Sequence, residues 1–222
     1  GQGGVPFGFD PDKPRPTALY QPGPTGFGSS SYWSNPGEAY TAFRMSPKDI
    51  FGVSGVTMSE LASVSYWTKN TEAGNSGFSD WQLKIYTEGD ATHWYGKRFM
   101  FDRPSNLTTG WTPSSTATTL GVKWIANKMN GHYWLKPSSS TDTLLGLGSS
   151  YGGEKIMFMD IVASCGSSGC LPVKSYLDGV NVALRNGDSA TMNLTVPEPG
   201  NLALMLLGMV GLGVGMRRQR SP

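Results

Sequence analysis

At 222 residues the chain has room for one ordinary domain and a tail, and needs no second domain. Its 18 basic and 16 acidic residues give a formal charge of +2, and setting aside Arg217, Arg218, Arg220 and Glu198 near the end leaves 15 against 15. A body with no net charge and no basic stripe argues against nucleic acid as a partner.

Residues 1–40 hold eight glycines and seven prolines with no visible period, which predicts an extended or irregular arm. Phe7, Phe9, Tyr20, Phe27, Tyr32, Trp33 and Tyr40 are scattered along it. Aromatic surface is costly to leave in water, and proline lowers the entropy lost on ordering. Much of the arm is therefore expected to pack on the following domain or on a second copy of the chain. Gly1-Gln2-Gly3-Gly4 has neither the basic start nor the apolar stretch of a signal peptide, so an exported protein would be expected to have lost that segment already.

The composition changes near Thr41, and a domain is expected over 41–195. Ala62, Val64 and Tyr66 alternate with Ser63, Ser65 and Trp67, the period of a strand over 61–69. A polar loop over 70–79 leads into a second alternation, Trp81, Leu83 and Ile85 against Gln82, Lys84 and Tyr86. Further strands are expected over 94–102, 118–126, 132–135, 154–163, 175–184 and 190–196. Asn186-Gly187-Asp188 is a turn signal that joins the last two into a hairpin. Single helical turns are expected at 57–61, where Glu60 stands three residues after a Thr57 cap, and at 142–147.

Seven or eight strands with Gly- and Ser-rich connections predict a mainly β fold, an antiparallel two-sheet sandwich. The pattern resembles a concanavalin-like or jelly-roll sandwich, with the concanavalin-like arrangement preferred over a galactose-binding-like jelly roll. Tyr176-Leu177-Asp178-Gly179-Val180-Asn181-Val182 is similar to a late strand of many bacterial sandwich modules.

Cys165 and Cys170 bracket Gly-Ser-Ser-Gly. In an oxidising compartment they are expected to form a disulfide, worth about 2 kcal/mol by chain entropy for so small a loop. A metal site on the same pair would need more ligands, and neither His93 nor His132 is near in sequence.

No nucleophile motif, phosphate loop or helical His-Glu zinc motif is present. Both histidines sit beside aromatics, in His93-Trp94-Tyr95 and His132-Tyr133-Trp134; they could reach a metal with Asp90 or Asp160, or simply occupy strand edges. Glycosidase chemistry needs two opposed carboxylates about 5–9 Å apart. Glu154 and Asp160 on one extended strand would stand about 20 Å apart, and Glu60 and Glu88 fall near the ends of other strands. A secreted glycan-active enzyme thus stands as the alternative to a non-catalytic binding module or a structural, protein-interaction module.

The aromatic stock is more informative. Sugar rings present apolar C–H faces that lie on Trp or Tyr, while Asp and Asn collect hydroxyl groups. Trp67, Trp94, Trp134 and Tyr95 are the candidate glycan-binding residues, with filling of the sandwich core as the competing role. Strand alternation sends Tyr66 and Trp67 to opposite faces, and likewise Tyr133 and Trp134. For a bound metal, calcium is the first choice and Asp160, Asp178 and Asn181 are the candidate ligands, although they lack the spaced acidic loop of an EF-hand. Asp178 has a second reading, closing its local turn through backbone amides. No cofactor beyond calcium is indicated.

Residues 196–222 form a distinct tail. Pro197-Glu198-Pro199 leads through Gly200 and Asn201 into fifteen residues without charge, 202–216, followed by Arg217-Arg218-Gln219-Arg220. An apolar run stopped by arginines predicts a tail that enters a membrane and leaves its arginines on the cytoplasmic side. A helix of that length spans about 22 Å, less than a hydrocarbon core of about 30 Å, so a shallow or temporary insertion is expected, helped by snorkelling arginine stems. Gly211 and Gly215 add one small-xxx-small spacing suited to helix contact.

The tail resembles the bacterial PEP-CTERM sorting signal: the triplet Pro197, Glu198 and Pro199, a short hydrophobic helix, and the basic end Arg217, Arg218 and Arg220. The resemblance implies export, recognition by an exosortase at the inner membrane, a transient membrane anchor and cleavage near the triplet. Proteins sorted this way are often associated with exopolysaccharide, biofilm or the cell surface. The expected function is that of an exported cell-surface or extracellular-matrix protein, non-catalytic and binding exopolysaccharide.

Overall fold

Leu83 and Ile85, Phe99 and Phe101, and Met159 and Ile161 each stand two residues apart, and an extended strand gathers such positions onto one face. A computed structural model describes residues 8–9, 17–20, 23–25, 31–35, 40–70, 78–102, 110–129, 132–135, 144, 150–165 and 175–194. In chain order the elements are β1 (Gly8–Phe9), β2 (Thr17–Tyr20), β3 (Ser31–Asn35), β4 (Tyr40–Met45), α1 (Pro47–Phe51), β5 (Leu61–Asn70), β6 (Phe78–Glu88) and β7 (Tyr95–Asp102). They continue with β8 (Thr112–Ser115), β9 (Gly121–Asn127), β10 (His132–Leu135), β11 (Ile156–Cys165), β12 (Ser175–Leu184) and β13 (Ser189–Met192).

The strands make two antiparallel sheets. One runs β1-β4-β11-β6-β7-β9-β10, the other β2-β3-β12-β5-β8 with β13 also beside β12. One edge of β12 is shared: its first residues, Ser175 to Leu177, pair with β3, and Val180 to Ala183 pair with β13. The inner faces meet in one apolar cluster. Phe43, Met45, Leu83, Ile85, Phe99, Phe101, Met159 and Ile161 come from the seven-stranded sheet, and Leu61, Val64, Tyr66, Leu177, Val180 and Val182 from the other. Full burial of such a side chain contributes about 1.5–3 kcal/mol each, which is why the alternation dictates the layering.

A polar tie crosses this core. The Tyr66 hydroxyl of β5 donates to the Trp81 carbonyl of β6. Trp81 is fully buried and has a φ of 33°, a backbone state that a bulky residue rarely adopts. It falls where the β11–β6 register shifts between Val162 and Ser164, so a bulge absorbs the strain.

Several elements differ from the sequence expectation. The turn at 57–61 forms its cap, with Thr57 donating its amide to Glu60 at 2.7 Å, but no helix follows: Thr57 bridges Lys155 and β5 begins at Leu61. The helix lies earlier, in α1, where Ser46 caps the Asp49 amide, Pro47 occupies the first turn and Gly52 closes the end at φ 71°. The strand expected over 118–126 is β9, preceded by β8 and a turn in which the Ser115 carbonyl accepts from Thr118, Thr119 and Leu120. Within the segment expected to be an irregular arm, β1 pairs with β4, and β2 and β3 add to the edge of β12. Of 142–147, only Leu144 is described, helical and buried. The tail from 195 onward, with its expected hydrophobic helix and sorting motif, lies outside the described residues. Among the described residues no helix is long and apolar enough to cross a membrane.

Candidate functional site

The connection from β6 to β7 builds the most distinctive surface feature. Asp90 Oδ1 accepts the amides of Thr92 at 2.8 Å and His93 at 2.7 Å, and His93 Nδ1 lies 3.0 Å from the same oxygen. The Asp90 amide returns to the His93 carbonyl at 3.0 Å. The His93 amide first, then the Thr92 amide, hold the Asp90 carboxyl below its usual pKa. Gly89 makes the loop sterically feasible, because a Cβ there would stand 1.8 Å from the His93 carbonyl oxygen. This closed loop delivers Trp94 to the outer face of the seven-stranded sheet with 51% of its surface exposed.

A bulge brings Tyr95 to the same face. Tyr86 pairs with Arg98 and Glu88 with Tyr95, so Thr87 stands against two residues, Gly96 and Lys97. Phe99 faces the core, and strict alternation would turn Tyr95 inward as well. The extra residue reverses it. Glycine is required at 96, since a Cβ would lie 2.5 Å from the Glu88 carbonyl oxygen. Tyr95 then meets Tyr86 edge-on, with ring centres 5.4 Å apart.

Tyr86, Tyr95 and Phe158 form a buried aromatic cluster separate from the main core. Trp94 lies over it, stacked on Tyr86 at 5.6 Å and 27°, and nearly parallel to Phe158 at 6.2 Å and 8°. It meets Tyr95 edge-on at 4.5 Å. Aromatic pairs of this kind add about 0.5–1.5 kcal/mol each beyond area burial, enough to fix the indole plane.

Charged groups surround the cluster. Arg44, Asp160 and Lys84 share one cross-strand row through β4, β11 and β6. Arg44 Nε and Nη2 donate to the two Asp160 oxygens at 2.6 and 2.7 Å, and the guanidinium lies 4.4 Å from the Phe158 ring centre. Arg98 stands 5.8 Å from the Tyr86 ring centre and 5.9 Å from that of Tyr95, with Lys128 6.0 Å from the latter. Burial pulls the Lys84 amine down to about 8, Arg98 adds to the effect, and Asp160 opposes it. Burial, then the Asp160 charge, push the Tyr86 phenol up, against the pull of Arg98 and Arg44.

Among the sequence candidates, Trp94 and Tyr95 are brought together here. Trp67 is not: it is half-buried on β5, opposite Asp178 in the other sheet, on the side away from the core that Tyr66 enters. Trp134 lies in β10, and its side chain is outside the described residues. The metal candidates also separate. Asp160 is held by Arg44 in one sheet, whereas Asp178 and Asn181 belong to the other. Asp178 Oδ1 accepts the amides of Gly179 at 2.7 Å and Leu194 at 2.9 Å, and Asn181 Nδ2 donates to Thr191 at 2.8 Å. Asp178 thus clamps the bulge at Gly179, whose φ is 58°, to the chain beyond β13. Among the described residues no three His, Cys, Asp or Glu side chains converge on one point. Cys165 ends β11 with its side chain outside the described residues, as is all of Cys170.

The sequence reading did not single out Tyr86, Phe158, Arg44, Arg98, Lys84 or Trp124 as site residues. A signal for Phe158 was present. Phe158 and Val162 flank Asp160 on one side of β11, with Met159, Ile161 and Ala163 on the other, and a strand apolar on both sides is covered on both. Compared with family models, curated proteins and solved structures, the chain has no match.

Proposed function

We propose that this is an exported cell-surface or extracellular-matrix protein that binds exopolysaccharide through Trp94 and performs no chemistry on it. The observation that carries the binding is the Trp94 indole, half in solvent yet stacked on the buried Tyr86 and Phe158 rings. A ring fixed in plane before binding loses little entropy when a pyranose C–H face settles on it. Three of the four carboxylates weighed for hydrolysis are engaged apart from one another, and the fourth, Glu88, is exposed opposite Tyr95. Asp160 is engaged by Arg44, Glu154 by Lys97 and Thr87, and Glu60 by Thr57, each at a different place in the fold.

Export rests on the resemblance of Pro197, Glu198, Pro199, Arg217, Arg218 and Arg220 to a PEP-CTERM signal, with an exosortase and the inner membrane as transient partners. In that oxidising setting Cys165 and Cys170 form a disulfide, which a mass change on reduction and alkylation would reveal. Sheets of seven and six strands support a concanavalin-like sandwich, with the platform on the outside of the larger sheet.

Two experiments test the proposal. Trp94→Ala should abolish retention on immobilised exopolysaccharide while the fold is kept and the melting temperature falls by the loss of its ring contacts; undiminished retention would refute the platform. Deleting 196–222 should shift the protein out of the membrane fraction during export, whereas identical fractionation with and without the tail would refute the sorting role.

A further inference from the structure

His93, the residue immediately before Trp94, is gripped at both of its backbone groups by Asp90. Its amide donates to Asp90 Oδ1 at 2.7 Å, and its carbonyl accepts the Asp90 amide at 3.0 Å. With both groups tied, the direction in which the chain enters Trp94 is set before any ligand arrives. An exposed carboxylate beside a stacking ring could also serve as an acceptor for sugar hydroxyls, but the bonds of Asp90 are turned inward. Oδ1 takes the Thr92 amide at 2.8 Å as well, and His93 Nδ1 stands 3.0 and 3.2 Å from the two carboxylate oxygens. Those amides hold the carboxyl below its usual pKa, and a carboxylate only accepts, so the imidazole carries a proton on Nδ1.

A second clasp stands on the β7 side. The bulge places both Gly96 and Lys97 against Thr87, and a bulge ordinarily leaves a backbone group of the extra residue unpaired. Here the Lys97 amide donates to Thr87 Oγ1 at 2.9 Å, and the same hydroxyl donates to Glu154 Oε2 at 3.2 Å. Glu154 Oε1 accepts from Lys97 Nζ, so the amide and side chain of Lys97 belong to one closed set of bonds. Thr87 is fully buried, and removing its hydroxyl would take this acceptor from the amide in a place that water does not reach. The bulge is what turns Tyr95 outward, where it meets the Trp94 ring edge-on at 4.5 Å.

Building on the Trp94 reading, we infer that Asp90 and Thr87 are positioning residues for glycan binding. Asp90 sets the chain that leads into the indole, Thr87 sets the bulge that brings Tyr95 against its edge, and neither touches the sugar. An indole already held in the orientation used for stacking loses less freedom when the ligand arrives. Without the clasps the apparent affinity falls with the fraction of molecules whose ring is in place.

The test is calorimetric titration of the full chain with cellohexaose and hexagalacturonide, a neutral and an acidic chain of sugars. For whichever binds, Asp90→Ala should weaken affinity about threefold to tenfold, the cost of ordering a side chain that is no longer held. Asp90→Asn keeps an oxygen that accepts both amides and should bring affinity back to within about twofold of the wild type. Thr87→Val should weaken binding in the same way, and Thr87→Ser, which retains the hydroxyl, should recover it. Thermal melts check that each variant folds, and the Asp90 pair decides the matter if Thr87→Val does not. Asp90→Asn as weak as Asp90→Ala would show that the sugar reads the carboxylate charge directly, and would overturn the inference. Wild-type affinity in Asp90→Ala, or in a folded Thr87→Val, would overturn it too, while loss of binding by Trp94→Ala kept the platform standing. Absence of binding by both sugars, or a silent Trp94→Ala, would bring down both readings.

Discussion

Arg44 of β4 holds Asp160 of β11 through two parallel hydrogen bonds of 2.6 and 2.7 Å, while the same guanidinium caps the Phe158 ring at 4.4 Å. One cation thus ties two strands together and packs against the floor beneath Trp94. Because Asp160 is completely buried, the pair matters most when it is broken. Asp160→Ala should destabilise the domain by about 3–5 kcal/mol in urea unfolding, since a charge is left without its partner in a low-dielectric site. The double variant Arg44→Met/Asp160→Leu should recover much of that loss. A loss below about 1 kcal/mol would show the pair to behave like a surface salt bridge.

Gly89 and Gly96 set the position of Trp94 and Tyr95 without touching any ligand. A Cβ at Gly89 would overlap the His93 carbonyl oxygen, at 1.8 Å, so the loop that Asp90 closes cannot form around alanine. Gly89→Ala should cost about 1–3 kcal/mol and weaken the near-ultraviolet dichroism from the stacked Trp94 and Tyr86 rings. An unchanged spectrum would mean that the loop does not hold the indole in place.

Lys84 makes stability depend on alkaline pH. Its amine titrates at about 8 in the folded state against 10.5 for the ordinary group, chiefly through burial and then Arg98. Below pH 8 the amine is protonated in both states and the folded protein bears the whole penalty of the buried charge. Between about 8 and 10.5 the unfolded chain binds more protons, so this group's contribution to stability rises with pH and levels off above. The melting temperature of the wild type should therefore gain on that of Lys84→Met across this window. A constant difference between the two would contradict the low amine pKa.

Sheet residues were legible where alternation was clean and illegible where another rule prevailed. β5 keeps its period from Val64 to Thr68 and β12 from Val180 to Val182, while the register shifts near Leu61 and Gly179 break the alternation in each strand. β8 gave no signal: Thr112-Pro113-Ser114-Ser115 is polar and contains proline, tolerable because β8 is an edge strand. Glycine and proline similarly concealed β1, β2 and β3, whose place depends on pairing with β4 and β12 rather than on local preference. The Ser46-Pro47 start of α1 was a readable capping signal.

The site was legible only in part. Trp94 and Tyr95 are adjacent in sequence, but their common face depends on the bulge at Gly96 and Lys97. Phe158, Arg44 and Asp160 join them through long-range register, which periodicity within one strand does not encode. Asp160 and Asp178, similar in type, have unrelated roles because one faces a guanidinium and the other backbone amides.

The most direct test of the Trp94 platform is an NMR titration that follows the indole N–H signals of the full chain as hexagalacturonide is added, with cellohexaose in parallel. Trp94→Phe and Trp67→Phe variants assign the two decisive resonances. The Trp94 signal should move in a saturable way with the ligand it binds, while the Trp67 signal on the opposite sheet stays still. Movement of Trp67 with Trp94 unmoved, or no saturable shift with either sugar, would contradict glycan binding at this face.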